Sequence, residues 1–256
     1  MKAGIICLDF SKGAWRILIW LLLTVFLPGK MILADDFTGT QDAEHVIVNW
    51  QVQDGLPSAR IHEVLQTHDG YIWLATLDGL ARFDGVRFER YYDSDTPGLA
   101  SSMIACLLED SRGRLWYGTQ SGEIGWKDAG GFHKLNVAQA TPPDPVERLI
   151  ETRDGTIWAA SHHKLLSIND GAHGMMMVRP VNHDIWDICA MENGGVWILV
   201  DGGDVFQLEA KTRKLSLIIP GLSGQWRNIA PAQSGGIWVR DGQCIRRWQG
   251  GGWSGQ

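Results

Sequence analysis

Two adjacent imidazoles, His162 and His163, form the most reactive-looking pair in the chain, and what they could do depends on what joins them. A bound metal ion needs three or four side chains converging on one point. The other six histidines (His45, His62, His68, His133, His173, His183) show no ligand spacing, so the pair reads as surface imidazoles and no metal site is expected. Met175-Met176-Met177 does not recur at spaced positions, as a methionine copper site would require, and reads as a strand edge instead. Of the four cysteines, Cys7 lies in the leader described below, while Cys106, Cys189 and Cys244 occupy unrelated places, an odd and scattered set that argues against a disulfide framework. Glycoside chemistry would need two carboxyls facing each other across a sugar. The aspartates here mostly precede glycine, as in Asp69-Gly70, Asp78-Gly79 and Asp84-Gly85, where the carboxylate serves the turn backbone. No catalytic residue and no cofactor is assigned on these grounds. An enzyme acting on polysaccharide, a lyase or a glycosidase, stands as the alternative.

The elements that must position such residues are set by a repeat. A glycine precedes a tryptophan by three residues five times, at Gly70/Trp73, Gly113/Trp116, Gly155/Trp158, Gly194/Trp197 and Gly235/Trp238, with the tryptophans 43, 42, 39 and 41 residues apart. That period fits one four-stranded propeller blade. Twelve residues before each tryptophan stand Ile61, Ile104, Val146, Ile185 and Trp226, opening a short apolar strand buried on both faces. A turn such as His68-Asp69-Gly70 or Arg153-Asp154-Gly155 follows, with glycine supplying positive φ. The tryptophan strand, a second turn, a third strand and a weaker fourth complete each unit. Repetition at one structural position marks the indoles as packing between sheets rather than as ligand platforms. The fold class is therefore all-β, a β-propeller of four-stranded antiparallel blades with five repeat units over residues 46–256. The 31 glycines and 13 tryptophans among 256 residues suit many short strands and tight turns.

Loops between second and third strands, and loops leading into first strands, gather at one end of a propeller axis, which is where such folds bind ligands. The candidate ligand-binding residues there are Asp78, Gln120, Ser121, His162, His163, Asp201, Trp226, Asp241 and Gln243, drawn from a wider polar set that includes Asp54 and Asp184. Hydroxyls, carboxylates and an aromatic face are the groups a sugar needs. Val46 to Trp50 reads as a fourth-strand segment, able to complete the last blade and close a five-bladed ring; five blades of a larger ring is the equal alternative.

Residues 1–34 read as a signal peptide: Lys2, Lys12 and Arg16 precede an apolar run from Ile17 to Leu27, with cleavage expected near Ala34 and a linker over 35–45. The run is short for a bilayer span. Export to the periplasm follows, with membrane attachment only through an uncleaved leader or a downstream region. Removing the leader changes the formal charge from −6 to −9, so nucleic acid is not an expected partner.

Four stretches carry a family resemblance: Trp50 through Ser58, Gly70 through Thr76, Asp78 through Gly85, and Glu109 through Thr119. They resemble the two-component regulator propeller repeats of periplasmic sensor regions in bacterial hybrid histidine kinases and related regulators. The resemblance is high in units one and two, fair in unit three and weaker beyond. It implies a sensor module for extracytoplasmic signals, often oligosaccharides, in proteins that often dimerise. It also implies further repeats, an immunoglobulin-like domain, a membrane span and an output domain; no second apolar span and no kinase signature is found in this sequence. Phosphotransfer by this polypeptide is therefore not expected, and a truncated, non-functional fragment is a further alternative.

Overall fold

The computed structural model describes residues 48–135, 144–169, 176–178, 183–209, 211–222, 228–233, 235–241 and 244–254. The leader and linker lie outside them. Five four-stranded antiparallel sheets follow one another along the chain. Sheet one is β1 (Ile61–Gln66), β2 (Ile72–Thr76), β3 (Gly79–Phe83) and β4 (Phe88–Tyr91); sheet two is β5 (Ile104–Glu109), β6 (Leu115–Thr119), β7 (Ile124–Asp128) and β8 (Gly131–Lys134). Sheet three is β9 (Arg148–Glu151), β10 (Ile157–Ala160), β11 (Leu165–Ile168) and β12 (Met176–Val178). Sheet four is β13 (Ile185–Ala190), β14 (Val196–Val200), β15 (Val205–Leu208) and β16 (Leu215–Ile219), and sheet five is β17 (Ile229–Pro231), β18 (Ile237–Asp241), β19 (Cys244–Gln249) and β20 (Gly252–Ser254). Every strand pairs with its sequence neighbour, so each sheet is a meander, and the architecture is the expected propeller. Met176 and Met177, on the expected edge, form part of the fourth strand of sheet three.

Four of the five repeated tryptophans face the following sheet. Trp73 packs with Leu107 and Tyr117, Trp116 with Leu149 and Ile157, Trp158 with Ile188 and Ile198, and Trp197 with Ile229 and Ile237. Two of the indoles also find a polar partner, Trp116 Nε1 donating to Asp110 Oδ2 at 2.8 Å and Trp158 Nε1 to Thr152 Oγ1 at 3.3 Å. The indoles serve as inter-sheet packing, as their periodicity predicts.

Of the two arrangements weighed, ring closure by the N-terminus is not seen among the described residues. Sheet five has its own fourth strand, β20, and residues 48–50 are not in a strand. The N-terminal segment instead lies against sheet one: Leu56 is buried with Ile72, Leu74, Ala81 and Phe83, and the Trp50 ring meets Phe83 and Phe88 edge-on at 5.1 and 5.6 Å. Inner strands touch in the series β1–β5–β9–β13–β17, and among the described residues no comparable contact joins β17 to β1. Among the described residues no sheet follows Trp238, which is 40% exposed, against 4%, 1%, 1% and 6% for its four counterparts. Nor is β1 buried on both faces, as was expected of every inner strand. Its residues alternate between half-buried and exposed, and among the described residues no sheet precedes it.

Candidate functional site

In units two, three and four the hairpin between the second and third strands is tied to a segment leading into a first strand, so these loop sets share one face. Gln120 N–H donates to Met103 O (2.9 Å), Val146 N–H to Thr119 O (3.1 Å), Ile185 N–H to His162 O (2.6 Å) and Asp201 N–H to Asp184 O (2.8 Å). Two of these backbone bonds lie within a unit and two, Val146 to Thr119 and Ile185 to His162, cross to the unit before.

Polar side chains at this face are most concentrated where units three and four meet. His162 and His163 occupy a turn, not a strand, and both imidazoles are exposed. His163 Nδ1 lies 3.4 Å from Asp144 Oδ1 and its Nε2 lies 3.3 Å from Asp184 Oδ1. His162 Nε2 is 3.6 Å from Glu147 Oε1. His183 Nδ1 is 2.9 Å from Asp201 Oδ1, which also accepts the Asp184 N–H at 3.0 Å. Three imidazoles and four carboxylates from four successive loops therefore form one network. Burial alone would raise the Asp144 carboxyl, but the Ser161 hydroxyl, donating at 2.5 Å, and His163 hold it below its ordinary value.

Of the residues expected at the site, His162, His163 and Asp201 come together. Asp78, Gln120 and Ser121 lie on the equivalent hairpins of units one and two; Ser121 Oγ is within 3.1 Å of Thr119 Oγ1 and Glu123 Oε2, and the Asp78 N–H donates to Thr76 Oγ1 at 3.2 Å. Asp241 ends β18, and Trp226 and Gln243 lie outside the described residues. Asp144, Glu147 and His183 were missed by sequence reasoning. A signal existed: Asp144 and His183 each stand fourteen residues before the tryptophan of their unit, on the lead-in loops. Among the described residues, no three His, Cys, Asp or Glu side chains are arranged to hold a metal ion.

A second feature lies deeper, at the junctions of the inner strands. Ten residues before the tryptophans stand Glu63, Cys106, Arg148, Asp187 and Asn228, and the first four reach forward into the next unit. Glu63 Oε2 accepts the Leu107 N–H (2.7 Å), Cys106 Sγ donates to Val146 O (3.2 Å), Arg148 Nε meets Asp187 Oδ1 (3.2 Å), and Asp187 Oδ2 accepts the Ile229 N–H (2.8 Å). An irregularity in the pairing of β1, β5 and β13 falls immediately before this position and turns its side chain toward the neighbour. Burial pushes Glu63 and Asp187 above the ordinary carboxylate range, although the backbone N–H groups and Arg148 oppose the shift. Both carboxylates are engaged in holding sheets together, which leaves neither directed at a substrate.

With this geometry in view, residues 55–78 and 98–121 match the two component regulator propeller family. No curated protein matches the chain. Among solved structures, a catalytically inactive histidine-to-alanine variant of virginiamycin B lyase from Staphylococcus aureus, with quinupristin, aligns at a TM-score of 0.65 and 12% identity, covering 82% of this chain and 72% of that one. The extracellular domain of a one component system from B. thetaiotaomicron aligns at 0.62 and 20% identity over 77% of this chain and 28% of that one. That of a hybrid two component system from B. thetaiotaomicron aligns at 0.61 and 20% identity, over 73% and 26%. The chain spans about a quarter of the length of these two B. thetaiotaomicron structures. At such identities the likenesses establish the fold. The protein is thus a β-propeller that carries the two-component regulator repeat in its first two units.

Proposed function

We propose that the chain is an extracytoplasmic ligand-sensing propeller of two-component signalling, without catalysis of its own, and that its loop face takes an oligosaccharide. The observation that carries the reading is the regulator repeat in units one and two. Extracellular domains of signalling proteins with the same fold support an extracytoplasmic place, as does the leader sequence. Among the described residues, no helix is long and apolar enough to cross a membrane. The hydroxyls, imidazoles and carboxylates at the junction of units three and four suit the hydroxyl groups of a sugar. Titration calorimetry of the protein against a panel of neutral and acidic oligosaccharides tests the proposal. Binding that weakens about tenfold in Asp201→Ala, the loss of one or two hydrogen bonds to a charged acceptor, supports it. No heat from any member of the panel overturns the oligosaccharide assignment.

A lyase reading draws on the shared fold with virginiamycin B lyase and on the raised pKa values of Glu63 and Asp187. The hydrogen bonds those carboxylates accept from Leu107 and Ile229 count against it. Appearance of a cleaved product in the calorimetry mixtures, followed by mass spectrometry, would establish it in place of sensing.

A further inference from the structure

Trp186 is not one of the five repeated indoles, and it is 40% exposed. An exposed indole alone is ordinary on a protein surface. How this one is held sets it apart. The pairing of β13 with β14 steps from Ile185 opposite Val200 to Asp187 opposite Leu199, so Trp186 has no partner across the ladder and a bulge turns it outward. Both flanking residues are buried and fastened. The Ile185 N–H donates to His162 O at 2.6 Å, and the Asp187 carboxylate accepts the Ile188 and Ile229 N–H groups at 2.9 and 2.8 Å. A ring on so firm a mount gives up little freedom when a ligand covers it.

The mount stands at the loop-face end of an inner strand. Eleven residues before the repeated tryptophan, the same place holds His62, Ala105 and Glu147 in units one to three, and β9, which follows Glu147, touches β13. The indole therefore shares a rim with Glu147 and its neighbour His162, and it stands two residues from Asp184, whose carboxylate faces His163. That rim joins an apolar ring to carboxylates and imidazoles. A pyranose has the matching halves: a C–H face that lies on an aromatic ring, and hydroxyls at its edge for polar partners. Charge narrows the class. Asp144, Glu147, Asp184 and Asp201 bring four carboxylates to the network, and a uronate would set another negative charge beside them. The guanidinium of Arg148, next in the chain after Glu147, is engaged by the buried Asp187.

We propose that Trp186 is the stacking platform of the loop-face site and that this site takes neutral pyranoses rather than uronates. The proposal rests on the oligosaccharide reading and adds to it the ring that holds the sugar and the charge the sugar must lack.

Titration calorimetry of the full chain against cellotetraose, maltotetraose and tetragalacturonic acid tests this, with thermal melts to check that each variant folds. A neutral tetraose should bind, and its affinity should fall about tenfold in Trp186→Ala, the worth of a stacked ring. Trp186→Phe should stay within about threefold of wild type. Trp186→Gln repeats the loss with a polar side chain suited to an exposed position. Trp238→Ala, which removes an equally exposed indole at the open end of the array, should leave binding unchanged. Undiminished binding in Trp186→Ala and Trp186→Gln, or tighter binding of tetragalacturonic acid than of either neutral sugar, overturns the proposal and leaves the oligosaccharide reading standing. No binding of any of the three sugars by the wild-type chain overturns the two together.

Discussion

Asp110 shows how much of this fold rests on single side chains that hold turns to sheets. Its carboxylate accepts the Arg112 and Arg114 N–H groups at 3.0 and 2.9 Å, Arg114 Nε at 2.6 Å and Trp116 Nε1 at 2.8 Å. Burial would raise its pKa, and those bonds reverse the sign and hold it below the usual carboxylate value. Asp110→Ala should cost about 3 kcal/mol in urea unfolding, because Arg114 and an indole N–H lose a buried partner. A loss below about 1 kcal/mol would show that the turn is held by other means. The pH signs differ between carboxylates. Asp110, with a depressed folded pKa, contributes stability above its unfolded pKa and loses it as pH falls, so the gap between wild type and Asp110→Ala narrows on acidification. Asp187, with a raised folded pKa, binds protons more readily when folded, and its contribution grows as pH falls and is lost as pH rises. Unfolding free energies from pH 7 to pH 4 should therefore move in favour of wild type over Asp187→Asn, and a gap that moved the other way would contradict the burial argument.

At the scale of strands and turns, glycines set the distance between sheets. Gly98 has φ +87°, and a Cβ there would lie 1.9 Å from the Phe132 carbonyl oxygen, whereas Gly85 has φ +99° with nothing within 4 Å. Gly85→Ala should cost about 1 kcal/mol, the left-handed penalty alone. Gly98→Ala should cost about 3 kcal/mol, because backbone must also move. Equal melting temperatures for the two variants would remove the steric part of the explanation. The first three strands of most units were legible in the sequence because glycine turns and indoles recur at a fixed offset, and each recurrence answers the same packing need. The forward-reaching position was not legible. It holds glutamate, cysteine, arginine, aspartate and asparagine in turn, the first four each matched to what the next unit offers, so side-chain chemistry shows no repeat although the geometry does. At the loop face His162, His163 and Asp201 could be placed from the hairpins, and Asp184 from its lead-in loop, but Asp144 and Glu147 were not, since the shared offset of Asp144 and His183 from their tryptophans joins residues of unlike chemistry. The N-terminal segment was misread as a strand because its residues copy the lead-in of unit two, while its work is to cover an apolar face.

Across the whole molecule the five sheets form a series with unlike ends. Among the described residues, sheet one is covered on its outer side by Trp50 and Leu56, while sheet five presents Trp238 and, at 69% exposure, Ile245. Substituting an indole should reveal this difference directly. Trp158→Ala should cost about 4 kcal/mol, since a fully buried ring leaves a cavity between two sheets. Trp238→Ala should cost about 1 kcal/mol, because the ring already contacts solvent over much of its surface. Comparable losses at both positions would mean that something covers sheet five. Each sheet depends chiefly on its immediate neighbours, as in other repeat arrays. Among the described residues the array is covered at one end and open at the other, which gives it a direction. Thermal opening should begin at the bare end and run backward along the chain, so that amide protons of β18 and β19 exchange before those of β14, and those of β2 and β3 last.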